Sequence, residues 1–141
     1  MTNSTENINL ACIIDDDKIY VNLIRKVIET RKLSKHLLEF NNGKDALDYF
    51  KKVFSDRDIE KIPSIIFLDL NMPIMDGWQF LDQFVQIKRP DQKSITLYIV
   101  SSSINPKDIA KAGTLETISG YIIKPVKPKE LEILFRSATN S

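Results

Sequence analysis

Four apolar residues, Ile65 to Leu68, run without a break and stop at a carboxylate, Asp69. A short continuous apolar run bounded by turn signals predicts a strand buried on both faces. Leu10 to Ile14 repeat the pattern and stop at Asp15; Ile95 to Val100, broken only by Thr96, stop at Ser101; and His36 to Phe40 and Tyr121 to Ile123 predict two short strands. Between these runs the apolar positions change to helical spacing. Ile19, Leu23, Ile24, Val27 and Ile28 predict a helix after the first strand, with Arg25, Lys26 and Glu29 on its other face. Ala46, Leu47, Phe50, Val53 and Phe54 predict a second, and Trp78, Phe80, Leu81, Phe84 and Val85 a third. Ile109, Ala110 and Ala112 predict a short fourth helix, and Leu131, Ile133, Leu134 and Phe135 a last one. Strand and helix alternate five times, which argues for a parallel sheet covered on both faces. Right-handed crossovers leave few arrangements, and a three-layer, doubly wound α/β sheet is the expected fold.

The punctuation agrees. Asp17 reads as a helix-start charge, and Asp76 as the cap of the third helix, with Gly77 permitting a tight turn. Asn105 followed by Pro106 reads as a cap with proline at the first helical position, and Pro128 opens the last helix. Asn41, Asn42 and Gly43 form a turn signal, and residues 88 to 91 close the third helix. Residues 55 to 63 are a charged connection, longer than the usual roughly 2–6 residues of such loops, and are expected to be exposed and mobile.

Composition narrows the class. The 141 residues suit one domain; 43% are apolar and 28% charged, as in a soluble globular protein. A net charge of +1 gives no sign of a nucleic-acid or membrane surface. No apolar run approaches the roughly 20 residues that span a bilayer. The first nine residues carry no basic-then-apolar signal pattern, so a cytoplasmic location is expected. Cys12, the single cysteine, excludes an internal disulfide and reads as a buried, inert thiol.

A parallel sheet delivers the last residue of every strand to one rim, where ligands of such sheets bind. Here those residues are Asp15 and Asp16, Asp69, Ser101 and Lys124. Two carboxylates about 4 Å apart repel by about 4 kcal/mol at an effective dielectric near 20. Three clustered acids therefore call for a cation, and Lys124 is a single charge. A divalent ion held by oxygen fits, and Mg²⁺ binds carboxylates together with phosphate oxygens. One histidine and one cysteine do not make a zinc site. With such an ion, a carboxylate can attack a phosphoryl group while a hydroxyl and an ammonium hold the phosphoryl oxygens. Asp69, alone at the end of the central strand, is assigned as nucleophile. Asp15 and Asp16 suit metal binding, and Ser101 and Lys124 suit phosphoryl contacts.

The runs Ile13-Ile14-Asp15-Asp16, Asp69 to Gly77, Val100-Ser101-Ser102 and Gly120 to Pro125, in that order at strand ends, resemble the receiver domain of bacterial response regulators. The resemblance spans about residues 9 to 137. It implies a flavodoxin-like sheet of order 2-1-3-4-5, with residues 1–8 as a flexible N-terminal tail and 138–141 as a C-terminal tail. It implies Asp69 as phosphoacceptor and a Mg²⁺ (or Mn²⁺) site of Asp15, Asp16, Asp69 and the backbone carbonyl of Asn71. Ser101 would be the switch hydroxyl, Tyr121 the switch aromatic and Lys124 the phosphate-binding lysine. The bond from Lys124 to Pro125 would be cis, with Ser102 and Ser103 completing the site. Ser103 and Asn71 flank the expected phosphoryl group, and a small Ser103 implies an intermediate phosphoryl lifetime. The resemblance implies a two-component phosphorelay: phosphoryl uptake from a histidine kinase or phosphotransfer protein, then a signal to a downstream protein. Neither nucleic acid nor membrane is expected as a partner. Lys18, Tyr20, Asn22, Val126 and Lys127 are expected as exposed kinase contacts. Only six residues follow Phe135, so a single-domain regulator, a switch rather than an enzyme, is expected.

Rival chemistries lack their motifs. A flavin carrier needs a hydroxyl- and glycine-rich loop where this chain has Asp15-Asp16-Asp17, and the phosphate loop of nucleoside triphosphatases is absent. A dehalogenase-like phosphatase wants a second acid two residues after its nucleophile, where this chain has Asn71. The alternative left open is a receiver-fold interaction scaffold that is not phosphorylated. His36 and Trp78 read as surface or packing residues.

Overall fold

The computed structural model describes residues 8–89, 91 and 93–139. Five parallel strands, β1 (Ile8–Ile14), β2 (Ser34–Phe40), β3 (Ile65–Leu68), β4 (Thr96–Ser101) and β5 (Ile118–Ile123), form one sheet in the order β2-β1-β3-β4-β5. Among the described residues the connections are α1 (Lys18–Thr30), α2 (Gly43–Asp56), α3 (Gly77–Ile87) and α4 (Pro106–Gly113), and α5 (Pro128–Thr139) follows β5. β1 starts at Ile8, inside the segment expected as a tail, and α5 runs past residue 137. The rest of both expected tails, residues 1–7 and 140–141, lies outside the described residues, as does Pro90.

All four residues of β3 are buried, which is why its sequence is an unbroken apolar run. The two faces of the sheet support separate cores. Cys12, Ile14, Ile66, Leu68, Leu97 and Ile99 pack with α2 and α3 through Phe50, Phe54, Phe80 and Phe84. Ile13, Ile65, Phe67, Tyr98 and Val100 pack with α1 and α5 through Ile24, Ile28, Leu131 and Phe135. Burial drives the Cys12 thiol upward, which keeps it protonated and inert.

Several expectations are corrected. On α1 the buried residues are Val21, Ile24 and Ile28, while Ile19 and Leu23 are 78% and 60% exposed. Val21 lies about 200° around the helix from Ile19, so one of the two must face water. Val85, Ile109 and Ile133 likewise point outward. Residues 55 to 63 are not a slack loop. α2 takes Ser55 and Asp56, and a 3₁₀ turn spans Ile59–Lys61. Ile62 is fully buried, and the Tyr49 hydroxyl donates to the Lys61 carbonyl over 2.6 Å. Asn42 does not make a free turn but caps α2, accepting from the Asp45 N–H.

Ile74, in the loop between β3 and α3, has φ of 70° and is 76% exposed. A β-branched residue in the left-handed region costs roughly 1–2 kcal/mol, and here no burial offsets it. Ile74→Asn is expected to raise unfolding free energy by about 0.5–1 kcal/mol, because asparagine tolerates this region. Urea denaturation measures it, and a loss of stability would refute the strain.

Candidate functional site

The rim at the carboxyl ends of β1, β3, β4 and β5 gathers the ionisable residues. The Asp15 N–H donates to the Phe40 carbonyl and the Asp69 N–H to the Ile14 carbonyl, so both acids sit where the ladder stops. Asp15 and Asp69 are buried and Asp16 is exposed, yet each offers an oxygen within 4.8 Å of the others. The Lys124 Nζ lies 2.9 Å from Asp15 Oδ2 and 3.8 Å from Asp69 Oδ1. The Lys124 N–H donates to the Ser101 carbonyl, which ties β5 to β4 at this edge. The Lys124–Pro125 peptide bond is cis.

Local sequence explains the placement. Asp15 Oδ1 accepts from the Asp17 N–H at 3.0 Å, and Asp17 caps α1 by accepting from the Tyr20 N–H at 3.1 Å. Asp69 Oδ1 accepts from the Leu70 N–H at 2.9 Å. Asp76 and Gln79 form a reciprocal capping box that starts α3. Gly77 is required by close approach rather than by a special φ. A Cβ there would collide with the Asp69 carbonyl and lie 2.9 Å from Leu70 Cα, both backbone atoms.

The electrostatics are strained towards cation binding. Burial first, then the neighbouring Asp15 charge, push the Asp69 carboxyl from 3.8 to about 6, although Lys124 and the Leu70 N–H pull the other way. Burial also raises Asp15, opposed chiefly by its hydrogen bond to Lys124. Three carboxylates and one ammonium sum to −2, the charge a divalent cation cancels. The donors are all hard carboxylate oxygens, which suit magnesium or manganese. His36 is exposed on β2 and Cys12 is buried inside β1, so neither joins them. A groove of about 440 Å³, lined by Lys18, Asn22, Arg25 and Glu39 among others, opens beside Asp15 and admits solvent.

Ser101 is buried at the end of β4, and its Oγ accepts from the Ser103 N–H at 3.1 Å. The Tyr121 hydroxyl donates to the Ser103 carbonyl at 2.8 Å, and its ring packs on the α2–α3 core. The loop after Ser101 is thus already bonded to Tyr121. Ser103 Oγ donates to Asp108 on α4 at 2.8 Å. Asn71, Ser102 and Pro125 are exposed around the rim.

Of the residues expected as exposed contacts, Lys18, Asn22 and Lys127 are exposed, but Val126 is buried in the α1–α5 core and Tyr20 is only half-exposed. Two features were missed. The Tyr20 ring lies over the Lys124 ammonium, 4.4 Å from centroid to Nζ. The Trp78 Nε1 donates to Asp108 Oδ1 at 3.1 Å while the Lys111 Nζ stands 4.4 Å from the Trp78 ring centroid, joining α3 to α4. Helical spacing alone signals neither pairing.

The sequence profile described as the response regulator receiver domain matches residues 11–136. The chain is similar to the "Probable methanogenesis regulatory protein FilR2" of Methanothrix harundinacea, at 26% identity over 121 residues, 85% of this chain and 74% of that one. It is similar to response regulator Rcp1 of Synechocystis, at 26% identity over 119 residues, 84% of this chain and 78% of that one. Among solved structures, a two component response regulator from Cytophaga hutchinsonii matches with a TM-score of 0.82 and 29% identity, covering 96% of this chain and 99% of that one.

Proposed function

The chain belongs to the response regulator receiver family, and we propose that it works as a phosphoacceptor switch in a two-component phosphorelay, with Asp69 as the acceptor. The observation that carries this reading is the convergence of Asp15, Asp16, Asp69 and Lys124 within reach of one phosphoryl group. Asp69 ends the central strand and presents a carboxylate oxygen beside a fixed ammonium. Attack by that oxygen on a donor phosphorus forms an acyl phosphate P–O bond. The donor's P–N bond, for phosphohistidine, or P–O bond, for acetyl phosphate, breaks, and the imidazole or acetate leaves with the bonding electron pair. Asp15, Asp16, Asp69 and the Asn71 carbonyl would hold a Mg²⁺ or Mn²⁺ ion. The bound ion would supply neutralisation of the charge that builds on the phosphoryl oxygens.

Lys124 loses part of its pull from Asp69 and gains a phosphoryl oxygen in its place. Ser101 Oγ, now engaged by the Ser103 N–H, is the hydroxyl at β4 that turns to another oxygen. Because Tyr121 is bonded to the Ser103 carbonyl, that movement acts on β5 as well as on the β4–α4 loop. A gain of about −1.5 to −2 charge at Asp69 biases this two-state element. The changed β4–β5 face would select a downstream protein, and the donor would be a histidine kinase or phosphotransfer protein. Such a protein catalyses only its own phosphoryl uptake and hydrolysis. A cytoplasmic setting belongs to the same reading; among the described residues no helix is long and apolar enough to cross a membrane.

The test is intact-mass analysis after incubation with acetyl phosphate in Mg²⁺ or in EDTA, for wild type and Asp69→Ala. One phosphoryl adduct is expected on wild type in Mg²⁺ and none in the other samples. An adduct on Asp69→Ala equal to wild type would refute the assignment, and no adduct on wild type in Mg²⁺ would favour the interaction scaffold.

A further inference from the structure

The Lys124 ammonium has a third neighbour. Its Nζ pairs with Asp15 and lies near Asp69, and its remaining side meets the face of Tyr20 at 4.4 Å. The Lys124 side chain is 15% exposed, so this ring replaces much of the water the ammonium would otherwise hold. A cation over an aromatic face within about 6 Å is attracted by the ring quadrupole, more strongly as water is removed. The ring does not sit there by chance of a loose side chain. Asp15 holds the Asp17 N–H, and Asp17 holds the Tyr20 N–H, so one relay of hydrogen bonds fixes Tyr20 relative to the carboxylate that Lys124 grips. Burial and the negative charges of Asp15 and Asp69 also push the Tyr20 hydroxyl upward, which keeps the ring neutral.

Resting on the reading of Asp69 as phosphoacceptor, we propose that Tyr20 is a positioning residue: its ring clamps the Lys124 ammonium against the two carboxylates, ready for the incoming phosphoryl oxygen. Without the ring, water reaches the ammonium and its tip samples positions away from Asp69. Phosphoryl uptake then slows because Lys124 must be ordered in each event.

The test compares Tyr20→Phe, which keeps the π-face, with Tyr20→Leu, which keeps apolar bulk without it. In Mg²⁺ and acetyl phosphate, Tyr20→Phe is expected to label within twofold of wild type and Tyr20→Leu about three- to tenfold more slowly, between the values of an exposed and a fully desolvated cation–π contact. In a Lys124→Met background, adding Tyr20→Leu is expected to change the rate less than twofold. By NMR, the Lys124 methylene next to Nζ is expected upfield in wild type and Tyr20→Phe, and at its ordinary position in Tyr20→Leu. Equal rates for the phenylalanine and leucine variants, or the full loss persisting without Lys124, would overturn the clamp. If Tyr20→Leu does not fold, Tyr20→Met carries the same expectations. Labelling that persists in Asp69→Ala defeats the phosphoacceptor reading instead, and the NMR arm still decides where the ring holds Lys124.

Discussion

Replacing Phe50 by alanine is expected to lower the unfolding free energy by about 3–5 kcal/mol. Phe50 on α2 is fully buried. Its ring meets Tyr49, Phe54, Phe80 and Phe84 at centroid distances of 5.5, 5.7, 6.2 and 5.3 Å, three of the four edge-on. Edge-on pairs add about 0.5–1.5 kcal/mol beyond area burial, and one deletion breaks several at once. The hole would open between α2 and α3, in the core that Phe54, Phe80 and Phe84 share. Against a total of about 5–15 kcal/mol for a domain, that loss is a large fraction. Urea denaturation followed by circular dichroism measures it. A loss below about 1.5 kcal/mol would mean that the aromatic cluster relaxes around the gap.

Phe50 also marks what was legible in the sequence. Ala46, Leu47, Phe50, Val53 and Phe54 all predict the buried face of α2, and all are buried. The reason is that α2 carries apolar residues on one face only. α1 carries them on both, so periodicity alone did not decide between Ile19 and Val21. Asp17 caps the start of α1 and the Tyr20 ring lies over Lys124, and neither contact is a pattern of apolar residues. The acids at strand ends were legible because an unbroken apolar run ending in aspartate marks both the strand and its exit. The sequence predicts only Tyr121 to Ile123 of β5, three residues short, since its edge position leaves it half-buried and removes the alternation that marks a start. Trp78 and Asp108 are thirty residues apart, and only the packing of α4 beside α3 brings them together.

In metal-free buffer at pH 8, Lys124→Met and Asp69→Asn are expected to move stability in opposite directions. Lys124→Met leaves three carboxylates with, among the described residues, no cation at hydrogen-bond distance, and a buried pair broken on one side costs roughly 3–5 kcal/mol. The groove beside Asp15 admits water, so about 2–4 kcal/mol is expected. Asp69→Asn removes a charge that the fold resists. Burial, and then the Asp15 charge, push the folded Asp69 carboxyl up to about 6 from an ordinary value of 3.8. A raised acid folds best when protonated, so its penalty is absent below about pH 4, grows between about pH 4 and 6, and is complete above about 6. That elevation is about 3 kcal/mol at full weight, and screening at the open groove reduces it to about 1–2. Asp69→Asn should therefore be more stable than wild type by about 1–2 kcal/mol at pH 8, and the advantage should vanish near pH 4. Mg²⁺ should stabilise wild type by mass action, and should recover part of the loss in Lys124→Met, because the ion takes over the task of balancing the acids. It should stabilise Asp69→Asn least, since one ligand charge is gone. Thermal melts in EDTA and in Mg²⁺ at the two pH values measure all of this. If Asp69→Asn were less stable than wild type in EDTA at pH 8, burial and the neighbouring acids would not be resisting the Asp69 charge, and the case for a cation built on that charge would fail.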